Sequence, residues 1–320
     1  MIIHKTYSPE QRLFIESVAK YGIDTAQEML ASVRDGRDLI YSHPLKLNFK
    51  NNATRVEIYE VKSGKHVTTS NLTDNACSFT NYMTDTAYRA VSDSGDVLEF
   101  STEPALFRFI TVDGVRNVRD LGGGAIRRGI LYRGSALNGD FTVSADGVRV
   151  ARETLGIRTE LDLRKECVGV YDSSALGADV AYYLIPYRPY SEVFLPEHRA
   201  AIVEIFKLFA DESLYPIYFH CMGGADRTGM LAIYLRALAG DSEEDILLDY
   251  ELTSLATVPG PDGSDEGVIR SRNSEYFSKF LDTLSTYAPD GTFRDRIIAF
   301  LLDCGITQDT LDRIATIIRK

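Results

Sequence analysis

The residues with the most chemical content stand together in the segment His220-Cys221-Met222-Gly223-Gly224-Ala225-Asp226-Arg227-Thr228-Gly229. A cysteine separated by five residues from an arginine is a weak signal alone; its setting gives it weight. Successive backbone N–H groups in a strand–loop–helix turn form a concave anion site, and a helix N-terminus adds partial positive charge. Met222, Gly223, Gly224 and Ala225 would supply those N–H groups, the two glycines letting the backbone curl around a tetrahedral oxyanion. Arg227 can grip two of its oxygens with a planar fork. Cys221 at the base would sit in the same positive field, which favours the nucleophilic thiolate. His220 is placed to orient the local backbone and favour that thiolate, and Thr228 to donate its hydroxyl proton to the departing sulfur. Together these groups suit in-line attack on a phosphate ester through a phosphocysteine intermediate.

The flanking pattern must position that loop. Tyr215-Pro-Ile-Tyr-Phe-His220 reads as a strand running into the cysteine, and Thr228 to Ala239 as an apolar helix stopped by Gly240. Around them strands and helices alternate, the mark of an α/β domain with a mostly parallel sheet. Arg158 to Leu163 and Val180 to Pro186 read as strands, and Glu197 to Ala210 as an amphipathic helix. Asp241-Ser-Glu-Glu244 reads as a capping box opening a further helix, and Phe293 to Cys304 and Thr307 to Ile318 as closing helices. The α/β unit is expected over residues 105–320.

Upstream the period changes to two. Leu45 to Phe49, Val56 to Val61, Ala87 to Val91 and Val97 to Phe100 read as short strands between turn clusters, which predicts a small β-sandwich over residues 37–104. Before it, residues 1–36 read as a helical segment opening at Ser8-Pro9-Glu10.

Composition narrows the functional classes. With 320 residues, 44% hydrophobic and 25% charged, the chain can bury a large core in two domains. A net charge of -11 argues against general affinity for nucleic acid or an anionic membrane. No apolar run reaches membrane-spanning length and no signal-peptide pattern opens the chain, so a soluble, cytoplasmic protein is expected. The 4 cysteines, Cys77, Cys167, Cys221 and Cys304, show neither disulfide nor zinc spacing, so no metal and no cofactor is expected.

The loop resembles the phosphate-binding loop of the cysteine-dependent protein tyrosine phosphatases. Asn117-Val-Arg-Asp-Leu-Gly-Gly123, Gly129-Ile-Leu-Tyr-Arg-Gly-Ser135 and Gly156-Ile-Arg-Thr-Glu-Leu-Asp-Leu-Arg164 follow the order of the bacterial and fungal subgroup, whose loop reads His-Cys-x-Ala-Gly-Lys-Asp-Arg-Thr-Gly. The resemblance covers about Phe107 to Lys320. It implies a tyrosine-phosphatase-like fold and a metal-independent phosphomonoesterase acting on phosphotyrosine, with phosphoserine and phosphothreonine as further substrates. Two positions depart: Gly223 replaces the subgroup's alanine, and Ala225 its lysine. An inositol phosphate or phosphoinositide substrate is the alternative, and Ala225 weighs against it because in the subgroup that lysine goes with phosphoinositide turnover; a phospho-binding module without turnover is the rival from another class. In the β-unit, Tyr82-Met-Thr-Asp-Thr-Ala-Tyr88 resembles a stretch of fibronectin type III and immunoglobulin-like domains in which a tyrosine hydroxyl ties a corner to the backbone.

The acid that protonates the leaving group stays open among several carboxylates. With 0 Trp, the Trp-Pro-Asp loop of many tyrosine phosphatases is absent. Asp226, which the resemblance places inside the loop, is the leading candidate as acid and then as base toward water, with capping of the next helix as its plain reading. Glu192, Asp120 and Asp162 are the others. Arg119, Asp120 and Arg133 are candidate substrate contacts that could equally brace the loop, as could Asp162 with Arg164. Val258 to Gly267, followed by Arg270 and Arg272, reads as a surface loop that could act as a lid. A phosphorylated protein or small phosphoester is the expected partner.

Overall fold

The computed structural model describes residues 45–50, 52–83, 85–102, 109–139, 141–164, 171–256 and 270–320. The expected N-terminal helical segment and the stretch from Val258 to Gly267 lie outside the described residues.

The first six strands are β1 (Leu45–Asn48), β2 (Arg55–Glu60), β3 (His66–Asn71), β4 (Ala76–Phe79), β5 (Ala87–Ser92) and β6 (Val97–Ser101). They form an antiparallel four-stranded sheet in the order β3-β2-β5-β6 and an antiparallel pair β1-β4. Alternation does the sorting: Val56 and Ile58 of β2 and Tyr88 and Ala90 of β5 face inward, onto Leu47, Phe49, Cys77 and Phe79. The backbone N–H of Met83 donates to the Tyr88 hydroxyl at 2.7 Å, so this tyrosine does tie a neighbouring segment to the backbone. β3 and β4 escape the sequence pattern because β3, His-Val-Thr-Thr-Ser-Asn, offers no apolar alternation.

The rest is α/β. Strands β7 (Arg119–Asp120), β8 (Leu131–Gly134), β9 (Thr159–Asp162), β10 (Ala181–Leu184) and β11 (Ile217–His220) form one sheet in the order β10-β9-β11-β8-β7. All neighbours run parallel except β7 against β8. The helices are α1 (Ala145–Arg149), α2 (Arg199–Phe209), α3 (Asp226–Ala239), α4 (Glu243–Leu252), α5 (Glu275–Leu284), α6 (Phe293–Asp303) and α7 (Gln308–Ile318). Every residue of α3 from Thr228 to Ala239 is buried, so the helix is apolar on all sides but for Thr228 and the paired Arg236. Its stop at Gly240, with φ 94°, is the left-handed terminus expected of a helix-ending glycine.

The start of α4 differs from the sequence reading. The cap of α4 is Ser242, which accepts the Asp245 N–H, while Asp241 turns back to pair with Arg236 and accept the Ala125 N–H. The full capping box stands instead at Thr292 and Asp295, opening α6. Among the described residues no helix is long and apolar enough to cross a membrane.

Candidate active site

β11 is the middle strand of its sheet, and its end carries the chain into the loop that α3 closes. In open α/β sheets this carboxyl edge is where ligands gather. α1 and α4 to α7 each begin on a Ser or Thr whose side chain accepts an amide N–H. α3 begins on Ala225, which has no such group. The amide N–H groups of Met222, Gly223, Gly224 and Ala225 find no acceptor among the described residues.

The carbonyls of Met222, Gly223 and Gly224, by contrast, are each bound by groups outside the loop. Met222 O accepts from Ala136 N at 2.8 Å, and Asn117 Nδ2 donates to Gly223 O at 3.2 Å and Gly224 O at 3.0 Å. Arg133 Nη2 donates to Gly224 O at 2.8 Å. Pulling carbonyls out of a tight loop leaves its N–H groups on the other side, the arrangement an oxyanion needs. Gly224 makes the turn with φ 66°, and a Cβ there would lie 2.3 Å from Gly134 O, so only glycine fits. Gly223 does not adopt a left-handed conformation.

Cys221 lies buried at the base of this loop as a free thiol, like Cys77 and Cys304. His220 Nδ1 stands 3.1 Å from Cys221 O and thus fixes the local backbone. Thr228 is fully buried and its hydroxyl has no hydrogen-bond partner among the described residues. Arg227, the second residue of α3, has one arm on Leu163 O at 3.3 Å.

Arg119, Asp120 and Arg133 are all buried, and their polar atoms point into the protein. Arg119 Nε and Arg133 Nη1 converge on the Asp249 carboxylate at 2.9 and 2.5 Å, and Arg119 also donates to Asn117 Oδ1. Burial alone would raise the Asp249 carboxyl, but the two guanidiniums override it and hold it well below the usual range. Burial, with Arg119 beside it, brings Arg133 down to about 10. This buried Arg–Asp–Arg group braces the loop through Arg133 and Asn117. Asp120 accepts Gly122 N at 2.8 Å and Gly129 N at 2.9 Å, and burial pushes it up to about 6. Asp162 is held by Arg164 Nε and Nη2 and by the Tyr182 hydroxyl. Glu192 stands 3.6 Å from Arg188 on the exposed side of its turn.

Of the four candidate acids, Asp226 alone belongs to the loop–helix junction, and it is not idle. Its oxygens receive Arg270 Nε at 2.6 Å and Nη2 at 2.7 Å, and the Tyr190 hydroxyl donates to Oδ1. Tyr190 in turn meets the Tyr250 hydroxyl at 2.8 Å. It does not cap α3 through its side chain. Sequence reasoning missed Asn117, Asp249 and Tyr190 as parts of this site, and named Arg270 only as following a surface loop that could act as a lid. Asn117 stood inside a quoted motif, but Asp249 is 130 residues from Arg119 and carries no local signal.

A cysteine and an arginine separated by five residues thus flank a run of unpartnered amides at the end of a central parallel strand. Residues 110–297, more than half of the chain, match the Tyrosine phosphatase family, and the chain belongs to it. It is 29% identical over 171 residues to a Cupriavidus necator protein bearing a tyrosine-protein phosphatase name, a match spanning 44% of this chain and 61% of that one. The chain thus spans less than two thirds of that relative's length. Among solved structures it is similar to P. aeruginosa TpbA, at 17% identity and TM-score 0.37 over 63% of this chain and 98% of that one. It is also similar to the catalytic core of the PP-IP phosphatase SIW14 from S. cerevisiae, at 20% identity and TM-score 0.32 over 41% and 74% of the two chains.

Proposed function

We propose that this protein hydrolyses phosphomonoesters, phosphotyrosine foremost and phosphoserine or phosphothreonine in addition, through a phosphocysteine intermediate on Cys221. The observation that carries the reading is the loop's polarity: its carbonyls are bound from outside by Asn117, Arg133 and Ala136, while the N–H groups of residues 222–225 are unused. Such a site stabilises three phosphoryl oxygens by preorganised donors, with Arg227 adding charge, and does not call on a metal for that task.

In the first step the Cys221 thiolate attacks phosphorus, the P–O ester bond breaks, and Asp226 gives its proton to the leaving oxygen. In the second, water attacks the phosphocysteine, Asp226 takes the water's proton, and the S–P bond breaks with the Thr228 hydroxyl donating toward the sulfur. Arg270 Nε and Nη2 hold the two Asp226 oxygens beside the loop, and this scheme includes Arg270 in the working site. Phosphate release from phosphotyrosine, phosphoserine and inositol phospholipid, measured for the wild type and Cys221→Ser, tests the assignment. Turnover of phosphotyrosine abolished by Cys221→Ser is expected. Turnover confined to the inositol lipid would transfer the site to the alternative substrate class, and tight phosphopeptide binding without turnover would make it a binding module.

The strands over residues 45–102 are proposed as an accessory fibronectin- or immunoglobulin-like unit. Its separate core around Val56, Phe79 and Tyr88 and the Tyr88 tie to Met83 support this.

A further inference from the structure

Between the β-unit and the α/β unit lies a cavity that the reaction above does not use. Alternation along β8 turns Leu131 toward α3 and Arg133 toward Asp249 and Gly224, while Tyr132 lies on the opposite face beside Val118 and Leu155. The β-unit meets that opposite face. The Asn81 side chain donates to Thr111 O at 2.8 Å and accepts the Thr111 N–H at 3.0 Å, much as a paired strand would. Lys65 Nζ reaches Thr154 O at 3.5 Å. Near these ties the two units leave a space of about 280 Å³, close to the lower end of the range for small-molecule sites.

Burial separates its floor from its rim. Tyr88, Tyr132 and Leu155 are nearly inaccessible and form the floor, while Ser63 and Lys65 are exposed at the rim. The other buried tyrosines all have occupied hydroxyls: Tyr215 donates to Phe209 O, Tyr218 to Ser135 O, and Tyr187 to the Tyr234 hydroxyl. Tyr250 meets Tyr190, and Tyr88 accepts the Met83 N–H. The Tyr132 hydroxyl bonds to none of the described residues. A Cβ built on Gly129 would lie 3.6 Å from that hydroxyl and 3.2 Å from Met83 Cε, and all three residues line the cavity. The hydroxyl therefore points into it. Asp120, paired with Tyr132 across β7 and β8, is taken up by the Gly122 and Gly129 amides.

The lining specifies the chemistry of an occupant. Two tyrosine rings, Leu155 and the Met83 thioether surround the one hydroxyl and suit a small ring with a polar tip. Lys65 and Arg128 bring two cations to the walls. Glu60 is the one carboxylate on those walls among the described residues, and it already accepts the Ser63 hydroxyl at 2.5 Å. We propose that this cavity binds a small aromatic carboxylate: its ring lies on the floor, a polar group at one end bonds the Tyr132 hydroxyl, and the carboxylate at the other meets Lys65. The site is separate from the catalytic loop and does not depend on the role of Cys221.

Methionine methyl NMR of the full chain, titrated with 4-hydroxybenzoate, tests the location without any variant. Of the 5 methionines, Met83 lines the cavity and Met222 stands in the catalytic loop. A shift of Met83 with Met222 unmoved is the expected result. A shift of Met222 alone would place the ligand at the catalytic loop and overturn the proposal, as would no shift up to about 10 mM. Calorimetry with 4-hydroxybenzoate and benzoate then tests the orientation. Tyr132→Phe, which removes only a hydroxyl without a protein partner, should weaken 4-hydroxybenzoate about fivefold, the worth of one neutral hydrogen bond, and leave benzoate unchanged. Lys65→Gln should weaken both about threefold, as expected of a solvent-exposed charge pair. Wild-type affinity for 4-hydroxybenzoate in Tyr132→Phe, or equal losses for the two acids, would refute the assignment of that hydroxyl.

Discussion

Asp249→Asn is the substitution whose cost follows most directly from the packing. The Asp249 carboxylate is 1% exposed and lies between two guanidiniums that are 0% exposed, at 2.9 Å from Arg119 and 2.5 Å from Arg133. The amide keeps the shape and one acceptor but cancels the only negative charge these two cations face within hydrogen-bond reach among the described residues. Breaking a buried ion pair on one side costs about 3–5 kcal/mol, because a desolvated charge is left behind. Two cations are stranded here, which sets the expectation at the upper end, a large share of a net stability of about 5–15 kcal/mol. With 0 Trp in the chain, far-UV circular dichroism in urea is the suitable assay. The depressed Asp249 carboxyl fixes the sign with pH: its contribution is present above the ordinary carboxylate range and is lost as pH falls through it. The gap between wild type and variant therefore narrows in acid. A companion, Arg133→Lys, keeps charge on Asp249 but gives up the second arm on Gly224 O at 2.8 Å. It should fold, and lose about tenfold or more in kcat/KM from one charged hydrogen bond. An Asp249→Asn protein within 1 kcal/mol of wild type would refute the reasoning, as would a gap that widens in acid.

Three further outcomes follow from the same geometry. Asp226→Asn should lower kcat on phosphotyrosine by about 10²–10³, and less on p-nitrophenyl phosphate, whose leaving group needs little protonation; equal losses on both would remove Asp226 as the acid. Gly224→Ala forces a Cβ to 2.3 Å from Gly134 O at a positive φ, so phosphate binding and turnover should both collapse, and a variant with wild-type KM for phosphotyrosine would disprove the tight turn. Asp120 is raised to about 6 from 3.8, so the native state binds the extra proton between those values and this group's contribution falls as pH rises through them. The melting temperature of wild type relative to Asp120→Asn should drop from pH 4 to 6, and a constant difference would contradict the buried assignment.

The sequence made the chemistry of residues 220–229 legible because everything needed there is local: an apolar strand, a glycine turn and an apolar helix follow one another from Ile217 to Ala239. α3 begins at Asp226, before the expected Thr228, since the end of the loop already winds as helix. The bracing group was not legible. Arg119, Arg133 and Asp249 come from two strands and a helix, and only the tertiary fold brings charges 116 and 130 residues apart together. Arg270 was equally hidden, because its partner Asp226 lies 44 residues away and nothing in its neighbours specifies the pairing. Glu160 stood inside the quoted segment Gly156 to Arg164, but its contact with His220 appears only once β9 is seen beside β11.

The central claim is covalent chemistry at Cys221, and rapid-quench mass spectrometry of the enzyme in turnover with phosphotyrosine tests it most directly. A phosphoryl adduct on the peptide containing Cys221, forming before free phosphate accumulates and absent from Cys221→Ser, is the predicted result. Undiminished hydrolysis by Cys221→Ser, or an adduct on another residue, would contradict it.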